Sequence, residues 1–346
     1  MALPGIAAGL ALALMETIND FGVADFFGLQ TLTIGVFHYI SIINDLPSAF
    51  SLSFIILIIM LLLYVFEQKM RGNKKFNNSS YESIQWSRYQ LSKIKTVLVF
   101  FLSFLPIFFG FFIPLFFNFF IFVTNLQIID YSNFLASLYN SIILGCFVGF
   151  FCILVSIFIN FYSRFSKNKK FLYYKKIINL GYALPGVVIA LGVLIFVKYV
   201  NQFLQLTILA TFIGLILALI IRLISISNNS IDSGLEKVGK SIDDASRMLG
   251  RRSSTTYFRI IIPQIRLSIL AGFLLVFVDT IKELPITLLL RPFNFNTLAT
   301  SLYEYSSNEM FENGSLHALT IILFLSLVIY IFDSVIEKKQ NSKVLK

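Results

Sequence analysis

The sequence is short of charge and of cysteine, and it carries one tryptophan and two histidines in 346 residues. Charged side chains make up 13% of it, about half of what a soluble chain carries, so too little polar surface exists to clothe a water-facing domain. A soluble enzyme is excluded. The only cysteines, Cys146 and Cys152, lie inside one apolar run and have neither the number nor the spacing of a disulfide framework or a zinc ribbon. They read as two small apolar residues of a helix. An ATPase site of its own is not expected in this chain.

What is abundant is apolar: 57% of residues are hydrophobic and 39 are phenylalanine. Disorder is excluded with that composition. Eight runs have the length and low charge that a helix needs to cross the ~30 Å apolar core of a bilayer. They are Ala2–Ile18, Ser48–Phe66, Thr96–Phe116, Asn140–Phe161, Ile177–Val197, Leu204–Ile221, Arg266–Thr280 and Leu316–Phe332. The expected fold is an all-α polytopic transmembrane bundle of about eight membrane helices. Pro106 and Pro114 predict a kink in the third run, not a break.

Net charge is +10, and its distribution gives the orientation. With alternating crossings, 25 of the 28 Lys and Arg fall on one side, in Lys69–Lys95, Arg164–Lys176, Arg222–Arg266 and Lys338–Lys346. Only Lys198, Lys282 and Arg291 fall on the other. By the positive-inside rule the crowded side is cytoplasmic, and both chain ends face it. The basic pI of about 9.5 therefore needs no nucleic acid. The run RGNKK (71–75) reads as an orientation signal, with contact to anionic lipid as the alternative. The first run lacks a basic start, so a cleaved secretory signal is not expected.

Two distant segments repeat. AGLALALMETIND (8–20) and AGFLLVFVDTIKE (271–283) align without gaps, matching Glu16 with Asp279, Thr17 and Ile18 with Thr280 and Ile281, and Asp20 with Glu283. After a three-residue shift, Thr31 and Leu32 match Thr297 and Leu298, and Phe37 faces Tyr303. Duplicated membrane halves suit alternating access about a midplane site. Four crossings precede the second copy of the matched helix and none precedes the first.

The polar segment 226–263 separates the sixth and seventh runs. Ser241-Ile-Asp-Asp244 has capping-box form, predicting a helix from Ser241 to Leu249 that stops at Gly250. Ser253 or Ser254 is placed to cap a second short helix ending at Pro263. Two short helices carrying Arg247, Arg251, Arg252 and Arg259 suit insertion into a partner's groove; an ordinary amphipathic surface loop fits the same residues.

The run DDASRMLGRRSSTTYFRIIIP resembles the EAA loop of ABC importer permeases, whose pattern is E-A-A, three residues, Gly, nine residues, then I-x-L-P. The triplet falls on Asp244, Ala245 and Ser246, preceded by Asp243; the glycine is Gly250, and the tail is Ile260, Ile262 and Pro263. Asp for Glu, Ser for Ala and Ile for Leu are conservative departures. The run KELPITLLLRP (282–292) and the segment ETINDFGVADFFGLQTLTIGVF (16–37) are similar to fused two-half permeases of the ferric iron type.

That resemblance implies a type I importer permease fold in the bacterial inner membrane, with no cofactor of its own. It implies a cytoplasmic ATP-binding subunit, an extracytoplasmic substrate-binding protein, and a second permease half or another copy. Family members carry two six-helix halves. Here 1–66 matches the last two helices of a first half, 67–95 a basic linker, 96–336 a second six-helix half, and 337–346 a basic tail. Met1 falls just after the place of a first EAA loop. Permeases for thiamine, polyamine or sulfate are alternatives within the class; a secondary transporter and a split-gene fragment are alternatives outside it.

Glu16 with Asp20, and Asp279 with Glu283, each stand at i, i+4 and share a helical face. They lie about 20–27 Å along their spans at ~1.5 Å per residue. The residues favour a solvated helix end, with Lys282 neutralising Glu283, over a ring of oxygen ligands drawing a cation such as ferric iron to an outer gate. His38 and His317 read as interfacial histidines, and the aromatics of 131–139 as a membrane-interface belt.

Overall fold

The computed structural model describes residues 3–71, 91–166, 175, 177–204 and 207–344, and every regular element among them is helical. The chain opens with α1 (Leu3–Asn19), a short α2 (Gly22–Phe26), α3 (Leu32–His38) and the long α4 (Leu46–Arg71). Then come α5 (Lys93–Thr124), α6 (Tyr131–Phe165), α7 (Gly186–Leu204) and α8 (Thr207–Glu236). Two short pieces, α9 (Ser241–Met248) and α10 (Ser253–Gln264), lead to α11 (Arg266–Lys282). The chain ends with α12 (Pro285–Leu290), α13 (Leu298–Ser307) and α14 (Phe311–Val344).

Six of these helices, α4 to α8 and α14, are long and apolar enough to span a membrane. The pair α10 and α11, bent by 73°, makes a seventh when taken as one broken span. The expected eighth is α1, which forms as an apolar helix of 17 residues. In α5 the helix runs on through Pro106 by widening into a π turn over Phe108–Phe112, and Pro114 follows just after that turn.

Two boundaries differ from the sequence reading. The fifth crossing does not begin at Ile177: a 3-10 turn over Gly181–Ala183 and the extended Leu184 before Pro185 delay the membrane helix to Gly186. A residue before proline is steered out of the helical region, so the break falls where Pro185 puts it. The sixth crossing does not end at Ile221, because α8 continues to Glu236 and takes 226–236 out of the polar loop. Ser227 and Asn228, polar enough to look like loop, are fully buried and bond to Ser156 at 2.6 Å and Asn160 at 2.8 Å on α6. Burial of paired polar groups between helices satisfies them as well as water does.

The core lies where α6, α7, α8 and α11 meet, with Leu144, Val148, Cys152, Ala190, Leu219 and Val276 in contact. Gly145 and Gly149, four apart on α6, let α11 approach closely. A Cβ at either would stand 2.8 Å from Phe277 or 2.9 Å from Phe273.

The repeat is structural as well as sequential. α1 to α4 and α11 to α14 run in the same order, and the matched Thr31 and Thr297 each cap a helix, accepting from the N–H of Ile34 and Thr300. In both copies the first and third helices pack on the fourth. The matched Phe37 and Tyr303 both pack against Phe21 as tilted rings, at 4.7 and 5.6 Å between ring centroids, so the two copies meet there. Tyr303 donates to Asp25 at 2.6 Å; burial and that carboxylate push its phenol up to about 12.

The basic stretch expected at 67–95, RGNKK included, lies largely outside the described residues. His317 is buried, bonded to Asn313 O at 3.0 Å and Ser137 Oγ at 3.1 Å between α14 and α6.

Candidate functional site: a braced surface loop and a buried ion pair

The first site is the loop between α8 and α11. Its leading arm, α9, starts one residue earlier than a Ser241 cap requires: Lys240 is the N-cap, Ser241 falls in the first turn, and no side chain caps the helix. Asp243 and Asp244 instead place negative charge against the positive end of the helix. The stop is as expected. Gly250 has φ +72, and the N–H groups of Gly250 and Arg251 return to the carbonyls of Arg247 at 2.9 Å and Ser246 at 3.1 Å. The second arm, α10, also forms without a serine cap, since Arg252 holds the N-cap position and Ser253 and Ser254 lie inside the helix. It carries a π turn over Tyr257–Ile261 before Pro263 and the bend at Ile265.

The arms are tied to each other and to α6. Ser246 Oγ and Thr256 Oγ1 are 2.6 Å apart and buried. Tyr257 is fully buried, packed on Phe161 and Phe165, and donates to Ile157 O at 3.1 Å. Asp243 pairs with Arg164 at 2.8 Å, each side chain less than a tenth exposed. Asp243 is therefore a buried anchor and not part of an outward face.

The outward face holds Asp244, Ala245, Arg247, Met248 and Leu249, with Gly250, Arg251 and Arg252 behind them. Met248 and Leu249 are 90% and 80% exposed, two large apolar side chains bare at the tip of a braced helix. Bare apolar side chains on a rigid tip are suited to contact with another protein. In the tail, Ile260 and Ile262 are half-buried and Pro263 is exposed, while Ile261 between them is the buried residue.

The second site gathers around the break before α7. Glu283 Oε1 accepts from Arg222 Nη1 at 2.6 Å and from the Ile286 N–H at 3.4 Å. A Cβ at Gly186 would lie 2.2 Å from that Arg222 nitrogen and 2.8 Å from Glu283 Oε1. Arg222, counted from sequence with the basic loops, is thus inside the bundle. It precedes the end of α8 at Glu236 by about 21 Å at ~1.5 Å per residue. Glu16 accepts from the Tyr182 hydroxyl at 2.7 Å in the adjoining 3-10 turn.

Lys282 does not neutralise Glu283. It turns to Asp279 at 2.9 Å, because i, i+3 neighbours share a helix face and adjacent residues do not. Glu283 is buried, so for that residue a solvated helix end is not what forms. Asp20 is exposed and accepts a 3.4 Å bond from the Val23 N–H. That bond mirrors the one from Ile286 to the matched Glu283. Among the described residues no three His, Cys, Asp or Glu side chains converge as a metal site.

Arg164, Tyr257, Arg222 and Tyr182 were not singled out from the sequence. A signal for Arg164 existed: Ser156, Asn160 and Arg164 recur every four residues in the mainly apolar second half of the helix, marking one polar stripe.

Long apolar helices built on a duplicated unit, with a braced surface loop between two of them, fit a membrane permease. The chain belongs to the family of binding-protein-dependent transport system inner membrane components, which it matches over residues 153–342. It is 24% identical over 333 residues to the "Fe(3+)-transport system permease protein FbpB 2" of Haemophilus influenzae, covering 95% of this chain and 65% of that one. It is 28% identical over 221 residues to the "Putative ferric transport system permease protein FbpB 1" of the same organism, covering 60% and 34%. The "Ferric transport system permease protein FbpB" of Actinobacillus pleuropneumoniae is 27% identical over 203 residues, covering 56% and 29%. The matches thus span 65%, 34% and 29% of those relatives' lengths.

Proposed function

We propose that this chain is the permease subunit of an ATP-driven importer of ferric iron, with the ATP hydrolysed by a separate cytoplasmic subunit docked on α9. The observation that carries the reading is the braced helix with Met248 and Leu249 bare at its tip. A lever needs both features: an exposed surface to be pushed and rigid ties to pass the push on. Motion of α9 and α10 would rock α6, α8 and α11 between inward and outward states. Ferric iron is the cargo because the relatives named for it align along most of this chain.

On this reading the basic side is cytoplasmic and holds both ends of the chain. Segment 1–66 is the end of one permease half, 67–95 a basic linker, 96–336 a second half and 337–346 a basic tail. A second half or another copy completes the pathway, and an extracytoplasmic binding protein delivers the cargo. Glu16, Asp20 and Asp279 offer carboxylates to a passing cation, whereas Glu283 is held by Arg222 in the state described here.

Affinity purification of the tagged chain tests the docking. An ATP-binding subunit should come with it and be lost with Met248→Asp; retention by that variant, or no such subunit with the native chain, counts against the reading.

A further inference from the structure

We infer that Arg164 is a positioning residue for transport, the clamp through which movement of α9 is passed to α6. The inference rests on the proposed docking of an ATP-binding subunit on α9. The geometry is that of one guanidinium serving two helix ends. Its Nε donates to Asp243 Oδ2 at 2.8 Å, on the first turn of α9. Its Nη1 donates to Leu235 O at 3.3 Å, and its Nη2 to Val238 O at 3.1 Å and Gly239 O at 3.3 Å, where α8 ends. The last carbonyls of a helix have no partner within it, so Arg164 caps α8 while holding the acid of α9.

Three features separate this clamp from a surface ion pair. The connection between α8 and α9, residues 237–240, is a turn containing Gly239, and Arg164 is the side chain bonded across it. Both partners are almost wholly buried, so solvent screens the pair little. Among the described residues Asp243 Oδ1 has no bond of its own, and Arg164 is the partner that holds the carboxylate.

Beyond the clamp, α6 is one continuous helix of 35 residues. At its far end Ser141 Oγ accepts from the Leu298 N–H at 2.7 Å, Asn140 donates to Asn296 O at 2.9 Å, and Asn133 donates to the Tyr305 hydroxyl at 2.7 Å. A displacement entering at Arg164 therefore reaches the start of α13 along a single rod.

Without Arg164, α9 stays joined to α10 through Ser246 and Thr256, and α10 to α6 through Tyr257 and Ile157 O, so loss of Arg164 removes the direct tie of α9 to α6 without detaching the loop. Lysine cannot replace it, because one ammonium does not span a carboxylate and three carbonyls. The test is the ATP hydrolysed per ferric ion moved by the reconstituted complex in vesicles. Arg164→Gln should keep the ATP-binding subunit bound yet raise that ratio about fivefold or more, with Arg164→Lys between it and the native chain. Asp243→Asn, which retains volume and polarity, should raise the ratio too and serves if Arg164→Gln does not reach the membrane. An unchanged ratio with subunit and uptake intact overturns the clamp. A native chain that binds no ATP-binding subunit overturns the proposed function instead.

Discussion

Arg222 on α8 and Glu283 beyond the end of α11 are joined at 2.6 Å, 61 residues apart in sequence and buried in the interior of the bundle. The pair spans three elements, because Gly186 at the start of α7 is the one residue type that leaves room for it. Charges at such depth persist only when matched. Removing either partner strands the other.

Glu283→Gln or Arg222→Gln should each cost about 3–5 kcal/mol of stability by leaving a buried charge unpaired. The double replacement should cost less than the sum of the two. Thermal unfolding of the detergent-solubilised chain measures all three; strict additivity contradicts a direct pair.

Glycine substitutions should separate by what surrounds them. At Gly181 a Cβ would lie 2.1 Å from the Ile221 carbonyl oxygen, and backbone does not give way, so Gly181→Ala should cost about 1–3 kcal/mol. At Gly192, inside α7, nothing lies within 4 Å. Gly192→Ala should gain about 0.5–1 kcal/mol. The same unfolding assay decides both signs.

Much of this was legible in the sequence, and the failures have physical causes. The duplication was readable because Thr31 and Thr297 do the same capping work, and the helix stop because Gly250 sits at positive φ. Pairing across the fold was not: Lys282 adjoins Glu283 in sequence but points to Asp279, and Arg222 comes from another helix. The serines looked like caps at Ser241 and Ser253, yet extended backbone at Arg252 and the turn at Lys240 set those helix starts. Ser227 and Asn228 looked like loop because their partners on α6 are found only in three dimensions.

Gly250→Ala should weaken the loop by about 1–2 kcal/mol, the cost of a Cβ in the left-handed region, with no clash since nothing lies within 4 Å. Gly250→Pro is forbidden at that φ and should uncouple ATP hydrolysis from uptake while the membrane helices persist. Circular dichroism and vesicle uptake on one preparation separate those effects; normal coupling with proline contradicts the role given to this turn.

Asp279→Asn removes a carboxylate whose bound partner is the half-exposed Lys282. If Asp279 lines the cation route, uptake of ferric iron should fall while stability changes by no more than about 1 kcal/mol, since the Lys282 partner is half in solvent and asparagine keeps the volume. Unaltered uptake removes Asp279 from the route.

The central claim is that α9 turns ATP hydrolysis by a partner into movement of ferric iron through these helices. Its most direct test is iron uptake into vesicles holding this chain, its completing permease half, the ATP-binding subunit and the binding protein. The account predicts uptake that requires ATP, stops with Met248→Asp, and is not matched by thiamine, polyamine or sulfate. ATP-independent uptake, or uptake indifferent to that substitution, would contradict it.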